Sequence, residues 1–157
     1  MLEISLRILF RIYNNPKRFI VKGRMIMSYE VNIGLQVEED EVPALREKVG
    51  WERRDEDYPT LFERCNFWAV VRDEHDELIG FGYVCGMRLE HGYMEDIIVH
   101  PSYRKKGIGG QIVEALLQEA RVIGLEVVTV TYDPTHESFY RKSGFLPGGG
   151  GVWRASL

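Results

Sequence analysis

The 157-residue sequence predicts an α+β fold in three layers, a mixed and mostly antiparallel sheet flanked by helices. Three observations lead there. Asn66–Arg72 and Leu78–Cys85 are β-rich runs on either side of the charged turn 73–77, the pattern of an antiparallel pair. Ile108, Ile112, Leu116 and Ala120, with Val113 and Leu117 beside them, recur at helical spacing between two further β-rich runs. At 45% hydrophobic, a chain of this length can bury one full core.

The elements follow in order. Residues 1–27 read as a separate extension: Leu2, Leu6, Leu9, Phe10 and Tyr13 keep a helical period up to Asn14-Asn15-Pro16, and a basic stretch leads to Met27. Three readings of it stand: a basic amphipathic arm for a membrane or anionic partner, a helix that packs on a second subunit, or a stretch upstream of the true start. The third is favoured, because Lys22-Gly23-Arg24 is what a purine-rich ribosome-binding sequence would encode and a first strand begins directly after Met27. The domain proper is then 28–157. Tyr29–Val37 alternates as that strand, and Glu38-Glu39-Asp40 caps a helix through about Lys48. Pro59 suits the first position of a second helix, Thr60–Cys65.

Beyond the antiparallel pair, Met94–Val99 is a buried strand closed by His100-Pro101. The long helix, Gly107–Ile123, is stopped by Gly124 as a glycine cap, and Val127–Tyr132 is a fifth strand rich in β-branched residues. Asp133 as N-cap, Pro134 at N1 and Gly144 at C′ specify a last helix. Gly148–Gly151 then lead to a short final hairpin carrying Val152-Trp153-Arg154, either a flap over the acceptor site or a plain loop.

Arg104-Lys105-Lys106-Gly107-Ile108-Gly109 is the most informative segment, because it joins the buried strand to the long helix. Gly107, Gly109 and Gly110 fall in the first helical turn, where each costs about 1 kcal/mol relative to Ala. Close approach explains them: without Cβ, the unpaired N–H groups of that turn can reach a phosphate, and the helix dipole adds attraction. No G-x-x-x-x-G-K-[ST] occurs, and Ile112 occupies the third glycine position of a dinucleotide fingerprint, which excludes both alternatives.

In its residues 96–110, Asp-Ile-Ile-Val-His-Pro-Ser-Tyr-Arg-Lys-Lys-Gly-Ile-Gly-Gly, and 139–145, Phe-Tyr-Arg-Lys-Ser-Gly-Phe, the chain resembles the GNAT superfamily of N-acetyltransferases. These match the family's [QR]-x-x-G-x-[GA] and F-Y-x-x-x-G-F motifs, in the right order and with a helix and a strand between. The resemblance begins after Met27. It implies the GNAT acyl-CoA N-acyltransferase fold, with the sheet splayed between its fourth and fifth strands to give pantetheine a groove.

The resemblance also implies a donor and a chemistry. Acetyl-CoA would be the co-substrate, with its acetyl group moved to a primary amine by direct attack in a ternary complex. The backbone of Ile97, Ile98 and Val99 would pair with pantetheine. Arg104, Lys105, Lys106, Gly107, Ile108, Gly109 and Gly110 would hold the pyrophosphate. Asp133 stands where many relatives place a pantetheine-binding asparagine, a departure that puts that contact in doubt. Tyr140 would be the general acid, since a phenol with pKa near 10 suits a departing thiolate. Family placement of the base maps to Glu95, acting directly or through water, with Tyr93 two residues before it. Strand alternation puts Tyr93, Glu95 and Ile97 on one face and Asp96 and Ile98 on the other, with Asp96 structural.

The acceptor site would be walled by residues 44–64, in which Trp51, Tyr58 and Phe62 stand beside carboxylates, together with Tyr93 of the fourth strand. That mixture suits a small cationic or aromatic amine, although Trp51 and Phe62 could equally close the core. A protein N-terminus or lysine is an alternative acceptor, and a non-catalytic acyl-CoA-binding sensor is an alternative function. Composition narrows the rest. Residues 28–157 carry 14 basic against 23 acidic residues, a poor balance for nucleic acid. Cys65 and Cys85 have no metal-ligand spacing and read as reduced thiols of a cytoplasmic protein. His75, His91, His100 and His136 are scattered, so no metal is expected. No run reaches the ~20 apolar residues of a membrane span. A homodimer is left open.

Overall fold

The computed structural model describes residues 17–21 and 24–155. Its strands are β1 (Lys17–Val21), β2 (Arg24–Ser28), β3 (Val31–Ile33), β4 (Phe67–Arg72), β5 (Leu78–Gly86), β6 (His91–Val99) and β7 (Val127–Val130). Its α-helices are α1 (Glu41–Lys48), α2 (Asp57–Arg64), α3 (Ile108–Val122) and α4 (Glu137–Lys142). β1 and β2 form a separate antiparallel pair, with Phe19 opposite Ile26. The expected boundary after Met27 therefore falls inside β2. Residues 1–16, with the helical period expected there, and residues 22 and 23 lie outside the described residues.

The main sheet has the order β3-β4-β5-β6-β7. Its first three pairings are antiparallel and β6–β7 is parallel, the mixed arrangement expected. α3 covers one face. Ile108, Ile112, Val113 and Leu116 are buried there with Phe67, Ala69, Val71, Ile79, Val84 and Met94. Two strand glycines bring this helix close to the sheet: a Cβ at Gly80 would lie 2.9 Å from Ile112 Cδ1, and one at Gly82 2.6 Å from Ile97 Cδ1 and 3.0 Å from Ile112 Cγ2. α1 and α2 cover the other face, where Val42, Leu45 and Tyr58 pack with Val70, Leu78, Phe81, Tyr83 and Ile98.

Several expected boundaries move, each for a local reason. The first strand is only Val31–Ile33, because Gly34 turns the chain at φ +67° and Leu35 and Val37 pack against the α1–α2 side. α2 starts at Asp57, two residues before Pro59; a proline is tolerated at the third position because the first-turn N–H groups have no intrahelical partner. Gly107 lies just outside α3 as its N-cap, at φ +83°. Asp133 caps a 3-10 turn, Pro134–His136, that leads into α4. No strand forms among the described residues after α4, where a final hairpin was expected.

The largest departure lies in β6. Tyr83 pairs with Glu95 and Phe81 with Ile98, so Gly82 alone faces Asp96 and Ile97. This is a β-bulge, and Asp96 takes φ +50° within it. Alternation slips by one residue. Ile97 and Val99 turn with Met94 toward α3, while Glu95 and Asp96 both face α1 and α2. The expected split of Glu95 and Ile97 from Asp96 and Ile98 is thereby corrected.

Candidate active site

The groove begins where two strands part. β6 and β7 pair from His91 opposite Val127 to Met94 opposite Val130, and then β7 ends while β6 runs on to Val99. One edge of Glu95–Val99 is left without a strand partner. Between this edge and residues 130–133 opens a cavity of about 970 Å³. Ile97, Ile98, Val99, Arg104, Lys105, Gly107, Ile108, Gly109, Gly110 and Asp133 line it, together with Tyr93, Glu95, Trp51 and Tyr140.

One end of the groove meets the N-terminus of α3. Gln111 is the first residue of this helix to donate its N–H back, to the carbonyl of Gly107. No side chain caps the helix, so the N–H groups of Ile108, Gly109 and Gly110 are without an intrahelical partner. An added Cβ at Gly107 or Gly110 would meet no protein atom within 4 Å, whereas at Gly109 it would touch the Phe139 ring at 3.4 Å. Glycine at Gly107 is required by its φ. Arg104 is steadied by donating from Nε to the Val99 carbonyl at 3.4 Å.

The Lys106 ammonium sits over the ring of Tyr103, 4.6 Å from the centroid; Tyr103 lines the groove and Lys106 itself does not. Asp133 does line the groove, but its Oδ1 accepts from the Thr135 N–H at 2.9 Å and the Thr135 hydroxyl at 2.7 Å. Those bonds hold its carboxyl below the usual carboxylate range.

Tyr140 is fixed by aromatic packing. Its ring stacks on Tyr132 at 4.7 Å and meets Phe139 and Phe145 edge-on. The residue is 8% exposed, and burial, followed by the neighbouring Tyr132 and Tyr93, pushes its hydroxyl above the ordinary phenol range. The phenol therefore keeps its proton at neutral pH.

The far side of the groove is built from two carboxylates with different partners. Tyr83 donates its hydroxyl to Glu95 Oε2 at 2.5 Å. Asp96 Oδ2 accepts from Arg46 Nη1 at 2.6 Å and from the Tyr58 hydroxyl at 2.5 Å. Burial opposes the charge of Arg46, but its bond to Asp96 and the charge of Asp96 outweigh this and raise its pKa. Arg46 also donates from Nε to the Glu52 carbonyl at 2.7 Å and lies 5.3 Å from the Trp51 ring centroid. One buried guanidinium thus fixes both Asp96 and the half-exposed Trp51.

Tyr58 and Phe62, expected at the acceptor wall, stand elsewhere. Tyr58 is 1% exposed, and Phe62 packs edge-on to Trp68 at 5.0 Å and Phe81 at 6.1 Å, so both fill the core beneath α2. Tyr58 reaches the groove only through its bond to Asp96. Two residues that shape the site, Arg46 and Tyr83, were not anticipated. Arg46 carried a signal, being the one charged residue in the stripe Val42, Leu45, Arg46, Val49 of an otherwise apolar face. Tyr83 carried none, because an aromatic in a buried strand is ordinary.

Comparisons with known proteins bear on the family and the fold. A sequence profile of the acetyltransferase (GNAT) family matches residues 35–145. The "Uncharacterized N-acetyltransferase ycf52" of Pyropia yezoensis is 27% identical over 81 residues, 52% of this chain and 47% of that protein. The chain spans about half the length of the curated relatives it matches. A crystal structure of a probable acetyltransferase of unknown function from methicillin-resistant Staphylococcus aureus is 25% identical. It superimposes with a TM-score of 0.70, covering 80% of this chain and 98% of that one. The GNAT family N-acetyltransferase YhbS of Escherichia coli, solved in complex with CoA, has the same fold with a TM-score of 0.64 at 21% identity, over 75% of this chain and 68% of that one. The family profile spans more than half of the sequence and includes the β6 edge, the glycine turn and Tyr140, and the chain belongs to the GNAT acetyltransferase family.

Proposed function

We propose that this protein is an N-acetyltransferase that moves the acetyl group of acetyl-CoA to a small cationic or aromatic primary amine. The observation that carries the reading is one groove lined at once by a parted strand edge, the uncapped N-terminus of α3, Glu95 and Tyr140. Its residues fit the donor. The free edge of Glu95–Val99 offers backbone groups to the pantetheine amides. The unpaired N–H groups of 108–110, with Arg104 and Lys105, offer charge and donors to the pyrophosphate.

The chemistry is direct attack. The amine nitrogen bonds to the acetyl carbon as the carbon–sulfur bond breaks; the nitrogen gives up two protons, and the sulfur takes one. Glu95 is the better acceptor of the first proton, because Asp96 has its charge offset by Arg46 while Glu95 is bonded only to a neutral phenol. Tyr140 holds its proton at neutral pH and supplies it to the departing thiolate. Alignment of the two substrates in one groove supplies much of the remaining rate. At the acceptor end, Trp51 offers an aromatic surface and Glu95 a negative charge, the pairing that suits an amine with an apolar body.

Release of free thiol from acetyl-CoA across a panel of amines tests the reading. Amine-dependent release above the rate of hydrolysis is expected. A protein that binds acetyl-CoA and releases none with any amine would overturn the transfer activity in favour of a non-catalytic acyl-CoA-binding role.

A further inference from the structure

We infer that Tyr83 is the residue that positions Glu95 for proton transfer, by occupying one carboxylate oxygen and leaving the other for the amine. The inference rests on Glu95 as the proton acceptor. Tyr83 and Glu95 are direct cross-strand partners because the bulge is absorbed at Gly82, Asp96 and Ile97. The hydroxyl of Tyr83 lies 2.5 Å from Oε2, and Oε1 has no hydrogen-bond partner among the described residues.

The direction of this bond is fixed. Burial, then the bond to Glu95 itself, pushes the Tyr83 hydroxyl far above the usual phenol range, so Tyr83 donates across the whole working pH range. The ring is held by the core, 6.2 Å from Phe81, and forms a wall of a second cavity of about 360 Å³ that Cys65, Cys85 and α2 residues also line. Tyr83 lines that cavity and not the groove, which it reaches through its bond to Glu95. Asp96, one residue on, is held instead by Tyr58 and Arg46. Two adjacent carboxylates on one face each have their own tyrosine, and only Asp96 has a cation as well. That difference separates the reactive group from the structural one.

Tyr83→Phe isolates the contact, since it keeps the ring and removes one oxygen. At neutral pH kcat for Tyr83→Phe is expected to fall about tenfold, while KM for acetyl-CoA stays within about twofold. In a Glu95→Gln background the same substitution is expected to cost nothing further, because the carboxylate it positions is already gone. A Tyr83→Phe protein with unchanged kcat, or one that loses the same factor in the Glu95→Gln background, whatever its loss in melting temperature, would reduce Tyr83 to a packing residue and overturn the inference. Glu95→Gln separates the two readings. Full activity in that variant would remove Glu95 as the base and the role of Tyr83 with it, whereas an impaired Glu95→Gln beside a Tyr83→Phe protein of unchanged kcat would defeat the Tyr83 inference alone.

Discussion

The two ends of the groove are made from different materials. The end proposed for the donor is backbone: a strand edge without a strand partner, three helix N–H groups without intrahelical acceptors, and glycines at 107, 109 and 110. The end proposed for the acceptor is side chain, tied together across the sequence by Arg46 to Asp96, Tyr58 to Asp96 and Tyr83 to Glu95. A backbone site depends on what is missing, a Cβ or a ladder partner. A side-chain site depends on which partner each charge acquires, and one exchange can alter it without disturbing the fold.

The largest effect is expected where a charge is set into the backbone end. Gly109→Asp places a carboxylate among the N–H groups proposed for the pyrophosphate and a Cβ 3.4 Å from Phe139. Acetyl-CoA affinity measured by calorimetry should fall by roughly two orders of magnitude or more, since a negative charge is set beside the phosphates. Retention of affinity would place the donor elsewhere. Next, Tyr140→Phe should lower kcat by about a hundredfold while leaving acetyl-CoA affinity unchanged, because the lost atom acts on the leaving group. An unchanged rate would remove Tyr140 from the chemistry.

At the acceptor end the first loss should be of stability. Arg46→Met leaves Asp96 facing the core without its cation, at a cost of about 2 to 3 kcal/mol, read as a fall in Tm of roughly 6 to 10 °C. A smaller, pH-dependent loss should appear through Cys65, whose thiol is pushed up to about 11 by burial and, secondarily, by the nearby Cys85. The raised folded-state pKa means that this contribution is whole below the unfolded thiol value, near 9, and is lost as pH rises toward 11. Cys65→Ala should flatten that part of a denaturation series, and an unchanged slope would rule the thiol out. The smallest effect belongs to the chain before the main sheet. Deletion of residues 1–26 removes no strand of the five-stranded sheet and should move Tm by under about 3 °C. A larger fall would make that segment part of the domain.

The same contrast decides what could be read from the sequence. Arg104 to Gly110, Tyr140 and the capping role of Asp133 were legible because each depends on neighbours within a few residues: a turn, a helix start, a short motif. From Val31 to Lys142 the order of strands and helices was legible for the same reason, whereas the β1–β2 pair was not foreseen and the expected last strand does not form among the described residues. The faces of β6 were not. Alternation from Tyr93 onward assigns Glu95 and Asp96 to opposite sides, and the bulge reverses this. Whether Gly82 opposes one residue or two is a property of the β5–β6 ladder, and period-2 counting along one strand cannot see it. Trp51 and Phe62 read equally as groove or core, and Tyr58 read as groove, because an aromatic near carboxylates has the same composition in either place.

Sequence alone determined that this chain makes an α+β domain with a basic glycine turn at a strand-to-helix junction, the cradle proposed for an anion, and a tyrosine on the last helix. Those features are written in local backbone requirements, and local requirements survive without knowledge of the fold. Tertiary structure decided that Glu95 and Asp96 share a face, that Arg46 claims Asp96, that Tyr83 claims Glu95, and that Lys106 sits over the Tyr103 ring. Each is a choice among partners far apart in the chain, made by which side chains the packing brings within hydrogen-bond reach.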